Sequence, residues 1–319
     1  MNMQQQNKVF ETSRAQHKRL GKSKIIQQLE IQSMILPAVV FLFIFSYIPI
    51  YGIQIAFKDF NLALGITQSP WAGLKYFQEF LTDPALGRVL RNTICMNLLY
   101  LVIGFPAPII FALMLMELRN PGYKKVVQTI SYLPHFLSWV IFGGLMIDML
   151  APDGVLNTLL VSIGLLKQSV NFMAKGEYFY FIYILIVIIK NIGFGSILYV
   201  AAITGVPPEL YEAATVDGAN RFQRMWHITI PCIIGTICIM FIFDISSLLN
   251  SGIEEILVLQ NSLNLPYSET IDTYVYKVGI KNMRFSYSSA VALFKSLISV
   301  ILLIGANTLT KKTTEQGLF

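Results

Sequence analysis

Three observations predict an all-α membrane protein with six transmembrane helices and both termini on the cytoplasmic side. Of 319 residues, 55% are hydrophobic and only 13% charged, against roughly 25% charged in soluble domains. Six apolar stretches reach the roughly twenty residues needed to cross a bilayer. Basic residues gather on one side of those stretches, the side that the positive-inside rule assigns to the cytoplasm.

In chain order, residues 1–30 form a basic segment with Lys8, Arg14, Lys18, Arg19, Lys22 and Lys24, placed to face anionic lipid. The apolar run that follows is too long for a cleaved signal peptide and lacks a small-residue cleavage site. Spans are expected at 31–57, 92–117, 128–150, 179–204, 228–250 and 287–310, within a transmembrane domain over 31–310 and before a tail over 311–319. With the N-terminus inside, the cytoplasmic segments hold 13 Lys and Arg in about 71 residues, and the outer ones 9 in about 98. The bias is strongest at the first span, where it usually decides. Outside, the first connection carries Phe57, Phe60, Trp71, Tyr76, Phe77 and Phe80, enough to cap a cavity mouth, and Glu254, Glu255, Glu269 and Asp272 make the last one acidic. Residues 151–178 form the second outer connection.

Several residues stand out inside the spans. Pro37, Pro49, Pro106, Pro108, Pro134 and Pro231, with Gly193 and Gly195, free backbone carbonyls and permit bends that neighbouring helices can satisfy. Asp148, Lys190, Asp244 and Lys295 are ionisable. Each costs roughly 2.5–3.5 kcal/mol to insert near a helix centre, so a partner or an aqueous cavity is expected for it. Asp148, near a helix end, can snorkel. Asp244 lies about 9 Å and Lys295 about 12 Å from the outer ends of consecutive spans, so they either pair or line a cavity. Lys190, followed by Asn191, is expected in the cavity because no acidic residue of a span shares its depth. Cys95, Cys232 and Cys238 lack metal-like spacing and read as small apolar side chains. His17, His135 and His227 are scattered and read as structural.

The most informative stretch is the polar interruption at 205–227. Pro207 and Pro208 open a helix, with Glu209 favoured in its first turn. Leu210, Ala213, Ala214 and Asp217 share a narrow face with two small residues, open to close approach by another surface. Gly218 supplies a left-handed stop, and Asn220 can cap a second short helix on which Phe222, Met225 and Trp226 follow at helical spacing. Arg221 and Arg224 point elsewhere, and Pro231 opens the next span.

This stretch closely resembles the E-A-A-x-x-x-G-x(9)-I-x-L-P signature of membrane subunits of binding-protein-dependent ABC importers. The matching residues are Glu212, Ala213, Ala214, Gly218, Ile228, Ile230 and Pro231, with Ile230 where leucine is usual. Arg91-Asn-Thr, Gly104-Phe-Pro-Ala-Pro, the run from Val127 to Trp139, Glu209-Leu-Tyr-Glu-Ala-Ala, Ile271-Asp-Thr-Tyr-Val-Tyr and Phe294-Lys-Ser extend the resemblance over nearly the whole chain. They look like carbohydrate importers for oligosaccharides and fragments of complex, uronate-containing glycans. The resemblance implies a type I ABC importer permease fold in a bacterial cell membrane. It also implies four kinds of partner: a second homologous permease, two ABC ATPase subunits, an extracellular or periplasmic sugar-binding protein and an oligosaccharide. The ATPase-coupling residues it implies are Glu212, Ala213, Ala214, Asp217, Gly218, Arg221 and Arg224; substrate-pathway candidates are Lys190, Asn191, Asp244 and Lys295.

The missing chemistry agrees with that division of labour. The sequence has no phosphate loop, no metal-spaced cluster and no nucleophile elbow, so neither catalytic nor metal residues are expected. No cofactor belongs to this chain, since ATP and magnesium sit on the partner ATPase. The net charge of +6 gathers beside the spans rather than in an aromatic-interleaved domain, which argues against nucleic acid. A secondary transporter would need a coupled-ion site and no docking segment. An intramembrane enzyme would need converging catalytic groups. The nearer rival is a type I importer permease for a non-sugar solute, which shares the coupling segment.

Overall fold

The computed structural model describes residues 32–314, and the basic segment 1–30 with His17, like residues 315–319, lies outside them. Six helical stretches of 24 to 31 residues are long and apolar enough to cross a membrane. The chain divides into two compact units. The first comprises the described residues up to Ile55 together with Phe60–Pro70. It contains nearly all of α1 (Gln32–Phe57). In its short loop the Asn61 amide donates to Ser69 Oγ (3.1 Å) and that hydroxyl donates to the Gly65 carbonyl (2.6 Å).

The second unit carries everything else. Its elements are α2 (Lys75–Leu81), α3 (Leu86–Met116), α4 (Pro121–Tyr132), α5 (Trp139–Leu150), α6 (Val155–Ser162) and α7 (Phe179–Thr204). They continue with α8 (Pro208–Val216), α9 (Arg221–Ser246), α10 (Ile253–Leu259), α11 (Leu265–Ser268), α12 (Ile271–Tyr276) and α13 (Phe285–Thr314). Between spans there is little hydrophobic drive in lipid, so packing and polar contacts must hold them. The centre is α7. Phe179, Ile182, Tyr183 and Ile186 meet Phe142 of α5 and Ile256 and Leu259 of α10, while Tyr199 and Ile203 meet Leu113 of α3 and Ile233 of α9. A third cluster joins Phe80 of α2, Val89 of α3, Ile271 of α12 and Tyr287 of α13. Gly193 lets α7 touch the backbone of α4: a Cβ there would lie 2.2 Å from the Ser131 carbonyl oxygen.

The prolines act through a shared device. A proline ring collides with the carbonyl four residues earlier and offers no N–H to it. For Pro49, Pro106 and Pro231 those earlier residues are Phe45, Val102 and His227, each inside a π-helical turn at Phe43–Tyr47, Tyr100–Gly104 and Met225–Thr229. The wider turn takes up the clash, and the Phe105 amide bonds the Tyr100 carbonyl at 2.9 Å, five residues back. Pro231 therefore does not open the fifth span. That helix already begins at Arg221 and runs through the proline to Ser246.

The third span also differs from the sequence reading. Instead of one helix over 128–150, the chain forms α4, a short 3-10 turn at Leu133–Phe136, a break at Leu137 and Ser138, and then α5. Pro134 weakens the first helix, and the Ser138 hydroxyl caps the second by accepting from the Ile141 amide at 3.3 Å. Twelve residues of α5 reach about 18 Å, too short to cross alone. The apolar stretch that is long enough is Trp139–Ser162, itself turned at 151–154.

The connection from α9 to α13 is not a loose acidic loop. It folds back as α10, α11 and α12, with α10 against α5 so closely that a Cβ on Gly143 would meet Val258 at 2.6 Å. Asn92, fully buried, donates to the Pro266 and Glu269 carbonyls (3.1 and 2.9 Å) and accepts from the Tyr180 hydroxyl (2.6 Å). Glu269 is 1% exposed, yet its carboxylate is matched by Arg88 at 2.5 Å and Lys277 at 3.1 Å. In the same region Asp83 accepts from the hydroxyls of Tyr274 and Tyr287, both at 2.5 Å. Burial alone would raise that carboxyl, but the two tyrosines and the Ala85 amide outweigh it and hold it below the ordinary value.

Candidate functional site

Two regions gather the residues that the sequence singles out. The first is the 205–227 segment. Pro207 caps α8, Glu209 occupies its first turn, and Gly218 ends it at φ 79°. The Gly218 amide bonds the Thr215 carbonyl (3.1 Å) and the Ala219 amide bonds the Ala214 carbonyl (2.9 Å), the double closure of a Schellman stop. Asn220 and Gln223 then form a reciprocal capping box at the start of α9. The two short helices are tied together: Arg224 donates to Thr215 Oγ1 at 3.0 Å, and the Tyr211 and Thr229 hydroxyls bond at 3.0 Å. Arg221 lies 3.9 Å from Glu117 at the end of α3.

Its underside is anchored, with Tyr211, Met225 and Ile228 packed on the Leu113, Ile203 and Ile233 cluster. Its outer surface is unpartnered among the described residues. Glu212, Ala213, Asp217 and Gly218 are exposed. Val216, Phe222 and Trp226 are 88%, 77% and 70% exposed. Trp226 follows Phe222 by one helical turn, so the two rings share a face. The result is a knob with an anchored base and an exposed, apolar, acid-bearing crown. Of the residues expected to couple, all but Ala214 and Arg224 are exposed, and Arg224 braces the knob from within.

The second region is interior. A cavity of 220 Å³ lies between α3, the α4–α5 break and α7, lined by Tyr100, Gly104, His135, Asn191 and Phe194 among others. His135 and Phe194 stack at 3.8 Å with their planes 2° apart, and His135 Nδ1 bonds Asn191 Oδ1 at 2.9 Å. Stacked rings beside an amide offer apolar faces and hydrogen bonds together, which is what a sugar ring presents in turn. Only Asn191 of the four pathway candidates lines it.

The other three candidates fall elsewhere. Lys190 is 3% exposed and its ammonium is fully used: it donates to the carbonyls of Pro134 (2.9 Å), His135 (3.1 Å) and Leu137 (2.5 Å). It also lies 5.1 Å from the Trp139 ring centre and 5.3 Å from that of Phe142. The expectation of a cavity lysine without an acid nearby gives way on both counts, because the folded-back α10 brings Glu255 close enough to interact with it. Burial pushes the Glu255 carboxyl above its ordinary value, opposed by the Tyr183 hydroxyl and the Lys190 charge. Lys295 pairs with Asp272 of α12, not with Asp244, and Asp272 also accepts from the Ser251 amide at 2.7 Å. The Asp244 carboxylate makes no hydrogen bond or ion pair with the described residues, and the residue is half-buried on α9.

Both ends of the Lys295–Asp272 bridge are mostly buried, 15% and 17% exposed. Lys295→Met then strands a carboxylate and should cost about 3 kcal/mol. Asp272→Asn in the same chain should restore stability and Asp244→Asn should not, read from thermal unfolding of the single and double variants.

Six apolar spans, with an exposed two-helix knob and a cavity lined by stacked rings and an amide in the second unit, mark a multi-pass membrane protein. The chain belongs to the binding-protein-dependent transport system inner membrane component family, whose model matches residues 85–315. It is 44% identical over 297 residues to the polygalacturonan/rhamnogalacturonan transport system permease protein YteP of Bacillus subtilis (strain 168), covering 93% of this chain and 92% of that protein. It is also similar to a chain in the crystal structure of a bacterial ABC transporter involved in import of the acidic polysaccharide alginate, with 37% identity, a TM-score of 0.83 and coverage of 93% and 99%. A second structure of a bacterial alginate ABC transporter, in complex with an alginate pentasaccharide-bound periplasmic protein, matches at 36% identity and the same TM-score, 0.83.

Proposed function

We propose that this chain forms half of the translocation pathway of an ATP-driven importer for oligosaccharides from complex, uronate-bearing polysaccharides, in a bacterial cell membrane. The observation that carries the energy-coupling part is the knob at Pro208–Trp226: it is built rigidly, exposed, and borne by a chain with no phosphate loop of its own. The energy therefore comes from a docked ATPase, with Glu212 and Asp217 facing its basic groups and Val216, Phe222 and Trp226 seated in its groove. ATP-driven closure moves the knob as one body, and the spans rock about the cavity between this chain and a second, homologous permease. The ATP and magnesium sit on the ATPase, and a sugar-binding protein delivers substrate from outside.

The glycan part rests on similarity to proteins named for polygalacturonan and alginate, together with the stacked His135–Phe194 pair and the Asn191 amide at the cavity wall. It does not rest on lysines in the path, since Lys190 and Lys295 are both engaged by the protein. These features favour the glycan over a non-sugar solute. Purification of the tagged chain from native membranes, followed by mass spectrometry, should return one homologous permease, an ABC ATPase and a glycan-binding protein. Recovery of an amino-acid- or phosphate-binding protein instead would favour the rival importer. Reconstituted with the ATPase but without the second permease, this chain should show no uptake.

A further inference from the structure

The break in the third span takes carbonyls out of the α-helical ladder, that of Pro134 keeping only the Leu137 amide at 3.2 Å, and one side chain collects them. Pro134 cannot continue the helical ladder, and Leu137 and Ser138 are extended. The carbonyls of Pro134, His135 and Leu137 therefore converge on Lys190 Nζ, which has three N–H donors and spends all of them there. A helix terminus of this kind carries partial negative charge, so it suits a cation. The rings of Trp139 and Phe142 flank the ammonium at 5.1 and 5.3 Å, adding attraction where water is excluded. Glu255 is the one acid whose charge acts on this ammonium, and the two form no ion pair; the Glu255 carboxylate accepts from the Tyr183 hydroxyl at 3.4 Å instead.

The fastened segment is also the cavity wall. His135, whose carbonyl is held by Lys190, presents its ring to the cavity and stacks on Phe194. Asn191, the next residue after Lys190, holds that ring through its Nδ1 at 2.9 Å. Two adjacent side chains of α7 thus grip one residue of the break, one by its backbone and one by its side chain. We infer that Lys190 is a positioning residue for transport: its ammonium fastens the α4–α5 break to α7 and so sets where His135 stands in the cavity and where its neighbour Phe136 meets the Phe194 ring. Being tied at three points, the break moves with α7 during the transport cycle rather than independently of it. The inference rests on the reading of this cavity as part of the glycan path.

The test uses the assembled importer in nanodiscs, in a background with Cys95, Cys232 and Cys238 replaced by alanine. Phe136→Cys reports on the break and Leu263→Cys, in the exposed turn between α10 and α11, reports on the fold outside it; both native side chains are exposed. Alkylation by N-ethylmaleimide is timed with and without an oligogalacturonide. Lys190→Met should change the rate at position 136 at least five-fold, remove protection by the oligogalacturonide, and leave position 263 unaltered. Lys190→Gln, whose amide still donates two hydrogen bonds, should fall between the two and supplies the same readout if the Met variant fails to assemble. Wild-type rates at position 136 in both variants would overturn the inference, and equal shifts at 136 and 263 would reduce Lys190 to general stability and overturn it too. A Lys190-dependent shift at 136 with no protection in any form would uphold the fastening while removing the cavity from the glycan path.

Discussion

Gly193→Ala is expected to be among the most damaging single substitutions in the membrane domain. The added methyl group would sit 2.2 Å from the Ser131 carbonyl oxygen and 2.4 Å from its carbon. Those are backbone atoms of α4, so no rotamer change relieves the overlap, and α4 and α7 must separate. Overpacking of that kind costs about 3 kcal/mol, the upper part of the usual range. Separation would also pull the Pro134 and His135 carbonyls from Lys190, so the loss should exceed the local clash. Gly144→Ala is the control, because nothing lies within 4 Å of the position its Cβ would take. Thermal unfolding of the purified complex should drop sharply for the first and stay within error for the second. Equal stability of the two variants would contradict the close crossing of α4 and α7.

The second large effect is expected at the knob and should be of the opposite kind, costing coupling and sparing the fold. Glu212 is exposed, and Glu212→Lys reverses a charge that makes no ion pair among the described residues. Gly218 adopts φ 79°, and nothing lies within 4 Å of its Cβ position, so Gly218→Val meets no clash in this chain. It does force a β-branched residue into the left-handed region, at about 1–2 kcal/mol, and weakens the Schellman closure that sets the angle between α8 and α9. Both variants should insert and fold. Both should lose at least ten-fold in ATP hydrolysis stimulated by the loaded binding protein, measured in reconstituted vesicles. Wild-type stimulation in both would remove the docking assignment.

Much of this architecture is legible in the sequence, for identifiable reasons. Apolar length marks the spans, and Gly218 and Asn220 announce their stop and cap because only certain residues suit those backbone positions. The α4–α5 break is harder, since the apolar run passes through it; yet Leu133-Pro134 followed by Ser138 is the signal of a helix ending and another being capped. The partners of the buried lysines are not legible at all. Lys190 is held by main-chain carbonyls 53 to 56 positions away, and carbonyls leave no trace in residue type. Lys295 is only 23 positions from Asp272, but that acid belongs to a connection that reads as an outer loop until its fold-back is seen. The same fold-back hides Glu255 from any count of charges by depth. Asn92, His135 and Phe194 carry little signal alone, because their value lies in what the fold brings beside them.

The measurement that bears most directly on the proposed function is uptake of labelled oligogalacturonide into proteoliposomes holding this chain, its partner permease and the ATPase, with binding protein outside. Uptake should require enclosed ATP and the binding protein, ignore proton and sodium gradients, and vanish with Glu212→Lys. Uptake that proceeds without ATP, follows an ion gradient and survives Glu212→Lys would contradict the account.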